Sequence, residues 1–139
     1  MKHLFEIQKN KLDIRQAEAF LYSSIDGGVV LFVGNIRECA GERKVTSIFF
    51  EAYDEMVISE LEKISSELSS QFSISKIVLI HRVGEVLPGE AAVIAGVASI
   101  HRKEAFEACT ELMNKLKASV PIWKKEMYED GGEWISPTP

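Results

Sequence analysis

The sequence contains few cysteines and prolines and no long hydrophobic run. Cys39 and Cys109 are the only cysteines among 139 residues, and there are four prolines. Neither cysteine belongs to a CxxC motif or to a Cys/His cluster, so a zinc site or a disulfide framework is not expected. The longest apolar stretch, Ala91 to Ile100, is about half as long as a membrane-spanning helix. Because the N-terminus also lacks the apolar core of a signal peptide, we expect a cytoplasmic location.

The chain is long enough for one domain with a substantial core. It is 46% hydrophobic and 27% charged, and a chain of this length buries roughly two-thirds of its unfolded surface on folding. No repeat of solenoid length and no linker rich in proline or serine divides it. We therefore expect a single domain over residues 1–139, with a flexible tail over 135–139.

The spacing of apolar residues predicts an α+β fold with two long helices. Intervals of three and four residues predict helices over 55–71 and 102–119, and Asp13 can cap a shorter helix over 14–23. Because strands occur in runs between the helices, we expect a mixed or mainly antiparallel sheet. The predicted strands are 3–8, 29–37, 45–53, 74–82, 92–99 and 122–128.

Two expectations concern burial. Residues 29–33 are all apolar, which is typical of a strand that is covered on both faces. Large aromatic side chains are usually placed in the core of a domain of this size. We therefore expect the following to be buried: Phe49, Phe50, Tyr53, Trp123 and Trp134.

Charge is distributed unevenly along the chain, whose net charge is −5. Residues 101–125 carry six basic and three acidic side chains, whereas 126–139 carry four acidic side chains and no basic one. An acidic total argues against a general nucleic-acid-binding protein. A basic segment in an acidic protein indicates a site for an anion, although such a segment is also typical of a solvated helix surface.

His101 and Arg102 are predicted to lie at the start of the second long helix. The free N–H groups and the dipole of a helix N-terminus favour an anion. Two cations at this place need a negative partner, either a ligand phosphate or an internal carboxylate such as Glu104 or Glu85. Arg37 ends a predicted strand, and a strand end and a helix start can lie at one sheet edge. We therefore expect Arg37, His101 and Arg102 to converge on one anion pocket.

Two lysines near the end of that helix are candidates for chemistry. Lys117 lies in the last turn, where a lysine also simply complements the helix dipole. Lys124 lies in an extended segment, in which Lys124 and Glu126 share one face while Trp123 and Lys125 share the other. If one face packs on the core, one lysine lies along a cleft. A desolvated lysine beside other cations can act as an acid, a base or a nucleophile.

An ordered set of motifs resembles the large, catalytic subunit of molybdopterin synthase. The resemblance covers roughly residues 26–134 without large gaps. Its most specific part is the motif Pro121-Ile122-Trp123-Lys124-Lys125-Glu126, after which come a glycine turn and Trp134. The motifs are His81-Arg82-Val83-Gly84-Glu85, Pro88-Gly89-Glu90, Ser99-Ile100-His101-Arg102, Ala105-Phe106, Leu116-Lys117 and Pro121-Ile122-Trp123-Lys124-Lys125-Glu126.

The resemblance implies a fold, an assembly and a reaction. The fold is an α+β fold of the α/β-hammerhead type, and the chain forms a homodimer. Each end of the dimer binds a small ubiquitin-like sulfur-carrier subunit, which gives a heterotetramer. The carrier's Gly-Gly tail ends in a thiocarboxylate, and two sulfurs pass in turn to cyclic pyranopterin monophosphate to make the dithiolene of molybdopterin. Because the sulfur arrives on another protein, the chain does not need a cysteine pair to carry it. No metal or organic cofactor is expected.

The resemblance also implies roles for individual residues. By position, Lys117 and Lys124 match the catalytic lysines. The tail after Trp134 lacks the arginine that some relatives place there, which is thought to reach the neighbouring protomer's site. Contacts with the substrate are implied for Asn35, Ile36, Arg37, His101, Arg102, Lys117, Lys124, Lys125 and Glu126.

Two other functions fit parts of the same pattern. A non-catalytic dimeric module that binds an anionic metabolite or a partner's C-terminal tail would share the basic segment, but it would not need two lysines at one point. A structural dimerisation domain would need only the apolar content. Separate substitution of Lys117 and Lys124 distinguishes these functions, because an enzyme loses turnover whereas a module loses only binding.

Overall fold

The computed structural model describes residues 1–136, which form nine strands and three helices. Within this part of the chain, none of the helices combines the length and the apolar character that crossing a bilayer requires. In chain order the elements are β1 (Lys2–Gln8), α1 (Ile14–Leu21), β2 (Gly28–Asn35), β3 (Cys39–Ala40), β4 (Arg43–Ala52), α2 (Asp54–Gln71), β5 (Lys76–Arg82), β6 (Gly84–Val86), β7 (Ala91–Ser99), α3 (Arg102–Ser119), β8 (Ile122–Tyr128) and β9 (Glu133–Ser136).

This arrangement confirms the predicted α+β class and both long helices. The strands β3 and β6 were not predicted, because strands of two and three residues carry no detectable periodicity. The expectation of a flexible tail over 135–139 is wrong for its first two residues. Ile135 and Ser136 belong to β9 and pair with Lys125 and Lys124. The remainder of that tail, residues 137–139, lies outside the described residues.

Local chemistry explains where the helices begin and end. Asp13 accepts a hydrogen bond of 3.0 Å from the backbone N–H of Arg15 and so caps α1, as its position predicted. Asp54 and Glu55 place negative charge on the first turn of α2, where the helix dipole favours it. Pro121 has no N–H group with which to continue α3. The chain therefore turns from α3 into β8 within two residues.

Four strands form a mixed sheet in the order β1-β5-β7-β2. β1 and β5 are parallel, whereas β7 is antiparallel to both β5 and β2. The central strands β5 and β7 are buried along almost their whole length. Helix α1 covers one face of the sheet through Ala17 and Leu21, and α2 and α3 pack against the other face. Helices on both faces explain why the two central strands read as continuous apolar runs.

β2 lies at the edge of this sheet and pairs only with β7 within the described residues. Its side chains Phe32 and Val33 are 43% and 37% exposed. The expectation that residues 29–33 are buried on both faces is therefore wrong. Apolar composition alone does not separate a central strand from an edge strand, because it does not say how many neighbours a strand has.

A second sheet contains β3, β4, β8 and β9 in that order, and β6 pairs with β4 as well. Its inner face contributes Val45, Ile48, Phe50 and Ile122 to the core. The expectation that the large aromatics are buried holds for Phe50 and is wrong for four others. The exposed ones are Phe49, Tyr53, Trp123 and Trp134.

A buried histidine lies in β5, against the second sheet. The side chain of His81 is fully buried, and its ring meets that of Phe50 edge-on at 5.0 Å. Nδ1 lies 2.8 Å from the carbonyl oxygen of Arg82 and must donate to it. Nε2 has no hydrogen-bond partner among residues 1–136. Burial lowers the pKa of His81 to about 4, so the ring is neutral near pH 7.

Acidification is expected to destabilise the fold through this histidine. The pKa of His81 falls from 6.5 in the unfolded chain to about 4 in the folded one. The folded state therefore keeps its full stability above pH 6.5, where the ring is neutral in both states, and it loses stability as the pH falls towards 4. The shift corresponds to about 3 kcal/mol. The free energy of unfolding in urea should therefore decrease over this range, and His81→Leu should flatten the decrease. The exposed His3, changed to Leu, serves as the control, and an equal slope in His81→Leu and wild type would contradict the prediction.

Candidate active site

A cavity of about 270 Å³ lies where the ends of β2 and α3 meet the second sheet. Much of its wall is apolar and comes from β2, β4 and α3: Phe32, Ile48, Phe50, Met113 and Leu116. Its polar lining includes Asn35, Arg37, Lys117, Lys124 and Glu126. Three cations and one carboxylate thus share a cavity whose apolar walls strengthen electrostatic interactions inside it.

The two lysines meet because the chain reverses between α3 and β8. Lys117 lies in the last turn of α3, and the helix ends two residues later. β8 then returns along β4, with Lys124 opposite Phe50. Alternate residues of a strand face the same side, so Lys124 and Glu126 face the cavity. Both lysines line it, which agrees with the cleft lysine that the alternation in this segment indicated.

Glu126 partly neutralises the cations. Its Oε1 lies 3.0 Å from Nζ of Lys124, and its Oε2 accepts a hydrogen bond of 2.5 Å from the hydroxyl of Tyr128. Burial by itself would raise the pKa of Glu126, but the hydrogen bonds from Tyr128 and Lys124, together with the charge of Arg37, outweigh it and keep the pKa below its usual range. The carboxylate is therefore ionised at neutral pH.

The other two cations are available to a ligand. Within residues 1–136, neither Arg37 nor Lys117 makes an ion pair or a side-chain hydrogen bond. Counting Arg37, Lys117 and Lys124 against Glu126 gives the cavity a charge of +2 (three minus one). An uncompensated positive charge beside apolar walls is suited to hold anions.

His101 and Arg102 lie at the opposite end of β2 from Arg37. In the antiparallel pair of β2 and β7, Gly28 is opposite Ser99, so the chain leaves β7 beside the start of β2. Arg37, in contrast, follows the end of β2. The backbone contact is close, because a Cβ added to Gly28 would lie 2.8 Å from Cα of Arg102. Glycine is needed there for the first turn of α3 to approach β2.

The prediction that Arg37, His101 and Arg102 converge on one anion pocket is therefore wrong for a single chain. Arg102 and Lys117 are 15 positions apart in α3 (117 − 102), which is about 22 Å along the helix axis. The spacing of residues could not reveal this separation, because it does not give the relative direction of β2 and β7. Contacts of His101 and Arg102 with a ligand in this cavity would require a second chain.

Six of the nine candidate site residues line the cavity, and three do not. Lys125 faces the outer surface of the second sheet, where its Nζ lies 3.1 Å from a carboxylate oxygen of Glu133. His101 and Arg102 lie at the far end of α3. The six that line the cavity are Asn35, Ile36, Arg37, Lys117, Lys124 and Glu126.

Met113, Phe32 and Cys39 are among the lining residues that sequence analysis did not single out as site residues. Met113 lies four positions before Lys117 on α3, so helical spacing could have indicated it. Phe32 lies on the strand whose composition predicts full burial. Cys39 lies in β3, which has no sequence signal, and its thiol is exposed. The other cysteine, Cys109, is buried, and burial raises the pKa of its thiol to about 11.

Comparison with known proteins identifies the family. The profile of the MoaE protein family matches residues 7–119. This chain belongs to the MoaE protein family. It is 42% identical over 123 residues to the molybdopterin synthase catalytic subunit of Pyrococcus abyssi (strain GE5 / Orsay), and the match covers 88% of this chain and 83% of that protein.

Solved structures share the fold of this MoaE family member. Molybdopterin synthase from Staphylococcus aureus matches with a TM-score of 0.90 and 32% identity, over 95% of this chain and 96% of that one. A chain from the complex of subunits 1 and 2 of the molybdopterin-converting factor of Helicobacter pylori 26695 matches with a TM-score of 0.73 and 23% identity, over 91% and 86%. At 23% identity, the second match shows only that the two chains share a fold.

Proposed function

We propose that this chain is the catalytic subunit of a molybdopterin synthase. It transfers sulfur from the C-terminal thiocarboxylate of a small carrier subunit to cyclic pyranopterin monophosphate and so forms the dithiolene of molybdopterin. The observation that carries the proposal is the cavity in which Arg37, Lys117 and Lys124 meet, in a member of the MoaE family. The proposal includes a cytoplasmic location and no resident metal or organic cofactor.

The charge of the cavity supports this pair of substrates. A thiocarboxylate and a cyclic phosphate diester each carry one negative charge, and together they match the charge of +2 in the cavity. We assign Arg37 and the unpaired Lys117 to these anions, since charge-assisted hydrogen bonds are the strong ones. Asn35, Ile36 and Glu126 complete the contacts at the same wall, whereas Lys125 is assigned to the rim.

The lysines are suited to the chemical step. Once the thiocarboxylate sulfur has bonded to a carbon of the pterin, water attacks the carrier's acyl carbon and the acyl carbon–sulfur bond breaks, which leaves the sulfur on the pterin and a carboxylate on the carrier. Negative charge develops on the carbonyl oxygen in the transition state of that attack. A fixed ammonium group beside that oxygen stabilises the charge, and it can also deliver a proton to an oxygen that leaves. We therefore assign this work to Lys117 and Lys124, of which Lys124 is only 22% exposed and so is less screened by water.

We infer that a second copy of the chain supplies His101 and Arg102 to the cavity. β2 is an edge strand with exposed Phe32 and Val33. If two copies pair antiparallel through β2 about a two-fold axis, the start of one β2 lies opposite the end of the other. The start of β2 contacts Arg102, so the partner's Arg102 would then lie beside Arg37. The homodimer would in this way assemble the anion site that one chain cannot.

Lys117→Ala is expected to lower turnover at least about a hundredfold, because removing one charge that stabilises a transition state typically costs this much. The free energy of unfolding should change by about 0.5 kcal/mol or less, as for other surface sites. The matched control is Lys115→Ala on the same helix, whose lysine pairs with Glu67 away from the cavity. Turnover in Lys117→Ala within about threefold of wild type would favour a lysine that only complements the helix dipole.

Subunit mixing tests the shared site. Lys117→Ala and Arg102→Ala should each be nearly inactive alone, and a mixed dimer should contain one site with both residues intact. Co-refolding equal amounts should therefore recover about a quarter of wild-type activity, since half of the dimers are mixed and each has one intact site of two. Arg102 acting within its own chain gives no recovery, because every site then lacks one residue.

Cys39→Ser tests the source of the sulfur, since Cys39 lines the cavity. The variant should keep most of its activity with a thiocarboxylated carrier, because the carrier brings the sulfur and the change removes no charge. The control is Cys109→Ala, at a thiol buried in the core. A folded but inactive Cys39→Ser protein would mean that sulfur passes through this thiol, and the proposed route would be wrong.

A further inference from the structure

Tyr128 is connected to the proposed catalytic Lys124 through a single carboxylate. Its hydroxyl donates to Oε2 of Glu126 at 2.5 Å, and Oε1 of Glu126 lies 3.0 Å from Nζ of Lys124. The three residues alternate along β8 and therefore share one face. Both oxygens of the carboxylate are thus occupied, one by the lysine and one by the tyrosine.

The terminal torsion of a glutamate has broad, roughly two-fold preferences and does not fix the carboxylate by itself. Tyr128 supplies the missing constraint, because its hydroxyl holds one oxygen and leaves the other for Lys124. The side chains of Lys124 and Glu126 are only 22% and 14% exposed, and Tyr128 is buried. Water therefore cannot easily replace the tyrosine hydroxyl as a partner.

The tyrosine ring is itself held in place from outside the cavity. The guanidinium of Arg43 lies 3.7 Å from the ring centroid of Tyr128. Two hydrogen bonds, of 3.0 and 3.2 Å, tie Arg43 to Asp130 in the turn between β8 and β9. Asp130 in turn accepts a hydrogen bond of 2.8 Å from the N–H of Gly132. These contacts hold the ring of Tyr128, whose hydroxyl reaches Glu126.

Tyr128 does not line the cavity, so it acts through its neighbour and not on the substrate. We propose that Tyr128 is a positioning residue, whose hydroxyl orients Glu126 so that the carboxylate keeps the ammonium group of Lys124 directed into the cavity. This role rests on the function proposed above. It adds to that function a residue outside the cavity that controls the geometry within it.

The charged groups around Glu126 determine the pH at which this arrangement is lost. The charges that act on Glu126 are those of Lys124 on the same strand and Arg37 from the loop after β2, and Lys117 from α3 lines the same cavity. The residues that pair with Glu126, Ile48 on β4 and Trp134 on β9, carry no charge. The hydrogen bond from Tyr128 helps to lower the pKa of Glu126. Removing the hydroxyl therefore raises that pKa, and the carboxylate takes up a proton at a higher pH.

The test compares Tyr128→Phe with Tyr22→Phe in the complex with a thiocarboxylated carrier. Tyr22 makes the same kind of bond, to Glu18 at 3.0 Å, on the exposed surface of α1. Phenylalanine keeps the ring that Arg43 contacts and removes only the hydroxyl. In Tyr128→Phe we expect kcat to fall about tenfold or more while KM for the pterin stays within about twofold, since a lost hydrogen bond to a charged group has this size.

The pH profile separates positioning from a structural effect. Loss of kcat on acidification should begin at a higher pH in Tyr128→Phe than in wild type, and Tyr22→Phe should match wild type. An active wild-type complex beside a Tyr128→Phe variant with unchanged kcat and pH profile would overturn the role of Tyr128. Absence of transfer by the wild-type complex would instead overturn the proposed function, and this role with it.

A second measurement does not depend on activity. Glu126 raises the pKa of Tyr128, chiefly through their hydrogen bond. The titration of Tyr128 can be followed by tyrosinate absorbance in the free chain. For each protein, the absorbance of the same protein carrying Tyr128→Phe is subtracted, so that only the signal of Tyr128 remains. Glu126→Gln should move the titration to lower pH, whereas Glu18→Gln should leave it unchanged. No movement in Glu126→Gln would overturn the contact on which the role depends.

Discussion

The excess of positive charge in the cavity is the constraint on which the rest of the site depends. Arg37, Lys117 and Lys124 lie around one carboxylate, Glu126, and two of the three cations have no partner within the described residues. Arg37 and Lys117 are exposed to solvent at the cavity, and like charges that share a cavity repel each other. The same feature makes the cavity favourable for anions, because a ligand removes the repulsion when it binds.

The charged side chains of the cavity come from three parts of the fold: Lys117 from α3, Lys124 and Glu126 from β8, and Arg37 from the loop after β2. α3 is fixed on the first sheet through its buried face, which includes Ala105, Ala108, Leu112 and Leu116. β8 is fixed by its pairing with β4 over its whole length. Because α3 and β8 belong to one core, the backbone positions of Lys117 and Lys124 are fixed relative to each other. A site built on helices and strands in this way keeps its geometry before the ligand arrives.

The sequence predicted what local patterns determine, and it failed where the answer depends on how elements are placed. The bounds of α3 and β8 followed from helical spacing, from Pro121 and from alternation, and these bounds bring Lys117 and Lys124 together. The direction of β2 relative to β7 has no local signal, so the distance between Arg37 and His101 was misjudged. The edge position of β2 also depends on the order of strands in the sheet, which composition does not contain.

The misjudged aromatic and apolar residues have a common physical cause. Burial was inferred from side-chain chemistry, yet Phe32, Phe49 and Trp123 are 43%, 48% and 44% exposed. Exposed apolar side chains that cluster, instead of being scattered, are typical of surfaces that other proteins cover. Phe32 also lines the cavity, and Trp123 directly precedes Lys124 in β8. The exposed apolar surface at Phe32 therefore borders the cavity, whereas Trp123 lies on the opposite face of β8 from Lys124 because neighbouring residues of a strand face opposite sides.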